Sequence, residues 1–73
     1  MKVRFIKDDT RFNIKKGDEF EALRHRFEPD CKVELTRRIS DNFNPECMAY
    51  NHQVEKWSEV KKDWVKISCT CCV

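Results

Sequence analysis

"KVELTRRIS", residues 32 to 40, decides the fold class. Val33, Leu35 and Ile39 share one parity, while Glu34, Thr36 and Arg38 share the other. Alternation with a period of two marks a half-buried strand, since a helix would repeat its apolar positions every three to four residues. Upstream, "VRFI" (3–6) and "EFEALRHRF" (19–27) are also strand-like. The second changes parity between Ala22 and Leu23, where a bulge or strong bend is expected. Downstream, "ECMAYNHQVEKW" (46–57) alternates with Met48, Tyr50 and Val54 on one face, and "DWVKIS" (63–68) supplies a last short strand. A helix competes for the C-terminal stretch, because Val54, Trp57, Val60 or Lys61, and Trp64 are spaced by three to four. One short helical turn at "SEVKKD" (58–63) accounts for the same residues and leaves Trp57 and Trp64 on strands at either side.

The segments between are turn chemistry. "KKGD" (15–18) holds the only glycine, "EPD" (28–30) and "SDNFNPE" (40–46) hold the two prolines, and such residues favour the backbone angles of tight turns. Five short strands at intervals of roughly 8 to 15 residues predict an all-β domain. A closed barrel is the expected form, since closure removes exposed edges. Val3, Phe5, Ile14, Phe20, Val33, Leu35 and Val65 form the expected core.

At 73 residues the chain has room for one domain, and a chain of this size buries only about 60% of the surface it exposes unfolded. A large catalytic pocket is not expected. With 40% hydrophobic and 38% charged residues and a mean hydropathy of −0.79, it is rich in charge but carries aromatics throughout, which favours a folded domain over disorder. Fifteen Lys and Arg against thirteen Asp and Glu leave a net charge of +2 with the signs interspersed. That balance gives no strong electrostatic argument for nucleic acid. The opening "MKVRFIKDD" lacks the apolar run of a secretory signal, and no stretch approaches a membrane span of roughly 18 apolar residues. A cytoplasmic protein with reduced thiols is expected.

The succession "MKVRFI", "FNIKKGDEFEAL", an alternating strand, then "EKWSEVKKDWVKI" resembles the small SH3-like barrels of short bacteriophage and mobile-element proteins. In those, a lysine-rich first strand leads to a Lys-Gly-Asp or Lys-Gly-Lys turn, and a short turn of helix precedes the last strand. The resemblance implies a five-stranded SH3-like barrel over residues 1 to 68; the chain departs from the pattern in its polar "SDNFNPE" loop and in a cysteine-rich tail over 69 to 73. The resemblance also implies a compact, non-enzymatic binding protein, whose expected partner is a host protein that it inhibits or modulates, such as a defence nuclease or the transcription machinery.

Five cysteines and two histidines are the candidate chemistry. A structural zinc site needs four Cys or His ligands in a tetrahedron, and its usual sign is two well-spaced pairs. None is present. Cys69 and Cys71 fall on one side of an extended chain and Cys72 on the other, so "KISCTCCV" alone cannot close a tetrahedron. Prenylation would need a cysteine where Thr70 stands. The expected state is no metal, no cofactor and a tail of incidental thiols. His25 lies between two arginines and His52 between Asn51 and Gln53, without a nucleophile or carboxylate at telling spacing. No phosphate loop or hydrolase motif occurs.

Three surfaces carry the binding argument. Arg24, Arg26, Arg37 and Arg38, near Phe27 and Phe43, could grip phosphates or stack on bases, although Glu21, Glu28, Asp30 and Glu34 thread any such patch with opposing charge. Phe43 stands in a polar loop, as an anchor or as a lid. Trp57 and Trp64 are rim aromatics or a ligand shelf. The expected partner-binding residues are Arg24, Arg26, Arg37, Arg38, Phe43 and Trp57, in a monomer or weak homodimer. A nucleic-acid-binding barrel is the alternative, and zinc binding through the terminal cysteines is the second.

Overall fold

The computed structural model describes residues 1–69. Six strands form one antiparallel sheet: β1 (Lys2–Phe5), β2 (Glu19–Arg24), β3 (Lys32–Arg38), β4 (Cys47–Tyr50), β5 (Val54–Ser58) and β6 (Asp63–Lys66), in the spatial order β4-β3-β2-β1-β5-β6. The protein is all-β, as alternation required.

The expected five strands are six because "ECMAYNHQVEKW" is cut in two. A 3-10 turn at Asn51–Gln53 separates β4 from β5, and β5 then pairs with β1. Local polar bonds hold the cut: the Asn51 amide donates to the Cys31 carbonyl, and Gln53 Oε1 accepts from the Tyr50 amide at 2.8 Å. The extra turn also breaks the expected parity. Val54 is buried, whereas Met48 and Tyr50 stand exposed on the opposite face. The helical turn expected at 58–63 is instead a tight hairpin turn over residues 59–62, with Lys62 at φ 54° and Ser58 Oγ accepting from the Lys61 amide. The residues that also fitted a helix lie in β5, this turn and β6.

The sheet is open, with β4 and β6 as its edges. Side chains satisfy amides along both. Asn44 Oδ1 accepts from Glu46, just before β4, Gln53 Oε1 from Tyr50, and Asp63 Oδ1 from Trp64 on β6.

One face of the sheet, the inner face, holds the core: Val3, Phe5, Phe20, Ala22, Val33, Leu35, Ala49 and Val54, joined by Ile14 from the β1–β2 loop. Phe5 and Phe20 meet edge to face at 5.7 Å. Each such side chain contributes roughly 1.5–3 kcal/mol when fully buried. Burying one face of five strands with a single loop residue and Ile67 as cover requires the sheet to bend over itself. The bend has a source in the β2–β3 register, where Glu21 faces Arg37 but Ala22 faces Leu35, leaving Thr36 as the extra residue of a bulge. Its hydroxyl donates to the Glu21 carbonyl. The bulge expected within β2 therefore sits in β3; β2 alternates without fault, and Leu23 points outward. Val65, expected in the core, is only half-buried because it lies on edge strand β6.

The β1–β2 loop is pinned where it crosses the core. Asp9 and Ile14 exchange backbone bonds of 2.8 and 3.0 Å. The Asp9 carboxylate, only 5% exposed, accepts from the Arg11 amide and guanidinium and from Gln53 Nε2. Gly17 closes the loop at φ 93°, a left-handed conformation that strains any other residue, and its amide donates to the Phe5 carbonyl.

Candidate binding surface

The residues singled out from the sequence do not gather. Arg24 ends β2 and Arg26 follows in the β2–β3 loop, while Arg37 and Arg38 lie at the far end of β3. Arg24 pairs with Val33 and Phe20 with Arg38, so the two groups are five residues apart along β3, roughly 17 Å at strand rise. At the far end Arg37 donates to Asn42 Oδ1 at 2.7 Å. The Arg38 guanidinium sits 5.6 Å from the Phe20 ring and 5.4 Å from the Phe43 ring, within reach of Asp41. Phe43 is thus a half-covered lid over a stacked arginine, with 53% of its surface exposed. Trp57 is elsewhere, on the outer face of β5.

The outer face divides into two halves of different character. Across β2, β1, β5 and β6 the register sets Glu19, Arg4, Glu55 and Lys66 side by side, a ladder of alternating charge. Arg4 bonds Glu55 at 2.9 Å and Lys2 lies 3.5 Å from Glu19. Trp57 and Trp64 are opposite each other, edge to face at 5.5 Å. The Arg4 guanidinium stacks 4.5 Å over Trp64, and Lys2 reaches both indoles at 5.9 Å. The two indoles, Lys2, Arg4 and the two glutamates here each have a partner within the sheet.

The β2–β3–β4 half is unlike it. The register places Leu23, Glu34 and Met48 in one row, with Lys32 and Tyr50 in the next. Leu23 is 58% exposed, Met48 42% and Tyr50 37%. Glu34 belongs to none of the ion pairs among the described residues. Lys32 is engaged: it lies 5.5 Å from the Tyr50 ring and bonds Glu28 at 2.6 Å, which lowers the Glu28 carboxyl below its ordinary range and raises the lysine. Tyr50 stacks on His52 at 5.4 Å. No expected site residue lies in this row. The signal was present, since Phe20 and Ala22 facing inward force Leu23 onto the polar parity, but it was absorbed into an assumed bulge.

The β2–β3 loop borders this half and presents Phe27, 81% exposed. Nδ1 of buried His25 accepts from the amides of Phe27 (3.2 Å) and Glu28 (3.1 Å), and the Glu28 carbonyl accepts from the amides of Cys31 and Lys32. His25 is therefore a turn-forming acceptor.

Reactive groups are equally committed. Burial pushes the Cys47 thiol up from its ordinary value, with the Asp9 charge adding to the shift, the reverse of what a nucleophilic cysteine needs. The Arg11 guanidinium, bonded to Asp9, holds that carboxyl below its usual range. Cys31 is disulfide-bonded, against the expectation of thiols reduced throughout, and Cys69 Sγ lies 3.8 Å from the Cys31 carbonyl oxygen. The expectations for Cys71 and Cys72 lie outside the described residues. Among the described residues no three His, Cys, Asp or Glu gather as a metal site, and no helix is long and apolar enough to cross a membrane. In comparison with known proteins, the chain matches no family model, no curated protein and no solved structure.

Proposed function

We propose that this chain is a non-enzymatic protein-binding module with an SH3-like barrel plan, docking its partner on the outer face of β2, β3 and β4. The carrying observation is that Leu23, Met48 and Tyr50 stand exposed on one face around Glu34. Exposed apolar side chains that share one face, with an aromatic at the rim, suit the desolvated centre of a protein interface. The barrel reading draws support from the bent sheet, from β5 returning to β1, and from the helical turn just before β5; β6 extends that plan as a hairpin arm. A non-catalytic role is supported by the raised Cys47 thiol and by His25 serving the backbone. The resemblance to phage and mobile-element proteins extends the proposal to a host protein as partner.

The nucleic-acid alternative is less favoured by the same surface. The candidate basic residues do not form one patch: Arg24 lies opposite Val33 and Arg38 opposite Phe20 at the other end of the hairpin, and Arg38 is within reach of Asp41, so no contiguous cluster of cations is set to displace counterions from phosphates. The test is affinity capture from a nuclease-treated bacterial lysate, with the double variant Leu23→Thr, Met48→Thr alongside. The partner should bind the native protein and be lost, by at least tenfold, from the variant. Equal capture by both would remove this face from consideration. Tight binding to plain DNA or RNA that weakens steeply with salt would shift the assignment to the alternative.

A further inference from the structure

A cavity of about 160 Å³ opens at the end of the sheet where β2 stops, away from the docking face, and its lining includes Arg24, Asp30, Val33, Lys56, Lys66 and Ile67. That volume is far above the roughly 10–15 Å³ that one water requires.

Lys56 is out of place for a soluble sheet. On β5 it lies opposite Val3 on β1 and Val65 on β6, so strand alternation turns it to the inner, apolar face while Trp57 faces outward. Arg24 shares that inner side, opposite Val33. Neither cation belongs to an ion pair among the described residues. Asp30, the acidic residue of the lining, is itself engaged. Lys66 borders the cavity too, but its place opposite Glu55 sends its ammonium to the outer face and it is not counted.

We propose that this cavity binds an oxyanion group, a phosphate or a carboxylate. Arg24 presents a planar fork of donors that matches two oxygens of such a group, and Lys56 adds a compact charge from the apolar side. Lys56 is partly buried beside Val3 and Val65 and belongs to no ion pair among the described residues, so an incoming anion would meet a charge that no carboxylate of the described residues neutralises. Low-dielectric walls around two cations also concentrate anions at the opening. The site is independent of the docking face, and the two succeed or fail separately.

The experiment is a titration of the native protein, followed by backbone amide NMR at constant ionic strength balanced with sodium chloride. One arm adds inorganic phosphate and the other acetate. Saturable shifts centred on Val33, Lys56 and Ile67 are expected, and the arm that saturates at lower concentration identifies the group. Arg24→Gln and Lys56→Met should each weaken binding at least tenfold, whereas Leu23→Thr, Met48→Thr should leave it unchanged. Methionine suits the apolar setting of Lys56; if that variant fails to fold, Arg24→Gln, at an exposed strand end, decides alone. Shifts that stay linear in both arms, or affinities unchanged in Arg24→Gln, would overturn the proposal.

Discussion

The two halves of the outer face share a sheet and a composition of charged and apolar residues, yet they solve the problem of a water-facing strand differently. On β1, β5 and β6 each charge lies across from its opposite, and the two indoles cover each other beneath Arg4. On β2, β3 and β4 apolar side chains stand in the open around Glu34. The difference teaches that large aromatics do not by themselves mark a contact surface. Trp57 and Trp64 are half-buried, so their removal should register in stability. Leu23 and Met48 stand among the exposed apolar side chains, so theirs should register in binding.

The largest expected effect is on the closed half. Trp64→Ala should destabilise the protein by about 3 kcal/mol, the lower end of the range for removing a large aromatic, measured by urea unfolding. A loss below about 1 kcal/mol would mean that the indole pair is dispensable, and the contrast between halves would collapse.

The loops repeat the contrast. The β1–β2 loop is fastened through buried Asp9, whose lowered carboxyl adds stability that is fully present above the ordinary aspartate value of about 3.9 and is lost as pH falls through the lowered one. Asp9→Asn should therefore cost about 1–3 kcal/mol at pH 7, with the gap to the native protein narrowing below pH about 4. A gap that persists unchanged at pH 2 would show that the charge of Asp9 contributes nothing.

The β2–β3 loop rests on His25 alone among its side chains with two backbone bonds to give up. His25→Ala leaves two amides without that acceptor and should cost about 1–2 kcal/mol. Hydrogen exchange should rise at Phe27 and Glu28 and stay unchanged at Asp9. Equal rises in both loops would mean that the variant loosens the whole fold. The smallest stability effect belongs to the open half: Leu23→Thr, Met48→Thr should shift unfolding by no more than about 0.5 kcal/mol, while abolishing capture of the partner. A larger shift would reveal hidden packing there.

Much of the fold was legible because inward positions on strands repeat every second residue. Val3, Phe5, Phe20, Val33 and Leu35 were readable for that reason, and Ile14, named with them, is buried in the loop while Phe12 of the same loop is exposed. Parity carries across a strand only while the strand lasts, however. Asn51–Gln53 contains no glycine or proline, and its turn is made by buried amides bonding the backbone, so sequence alternation ran straight through it and misplaced Met48 and Tyr50. The arginines misled for another reason: Arg24 and Arg38 are near neighbours in side-chain type but belong to opposite ends of a hairpin, a separation visible only once the register is known.

Asn44, Gln53 and Asp63 have a consequence for how this molecule behaves when crowded. An unclosed sheet is ordinarily a template on which further chains add strand by strand, giving fibres that grow without limit. Here side-chain oxygens already hold the amides of Glu46, Tyr50 and Trp64, so an incoming strand competes with a local bond at each of these three positions. Growth perpendicular to the strands is thereby hindered at both edges, β4 and β6, and removing these acceptors, as in Asn44→Ala or Asp63→Ala, should make strand-by-strand association easier.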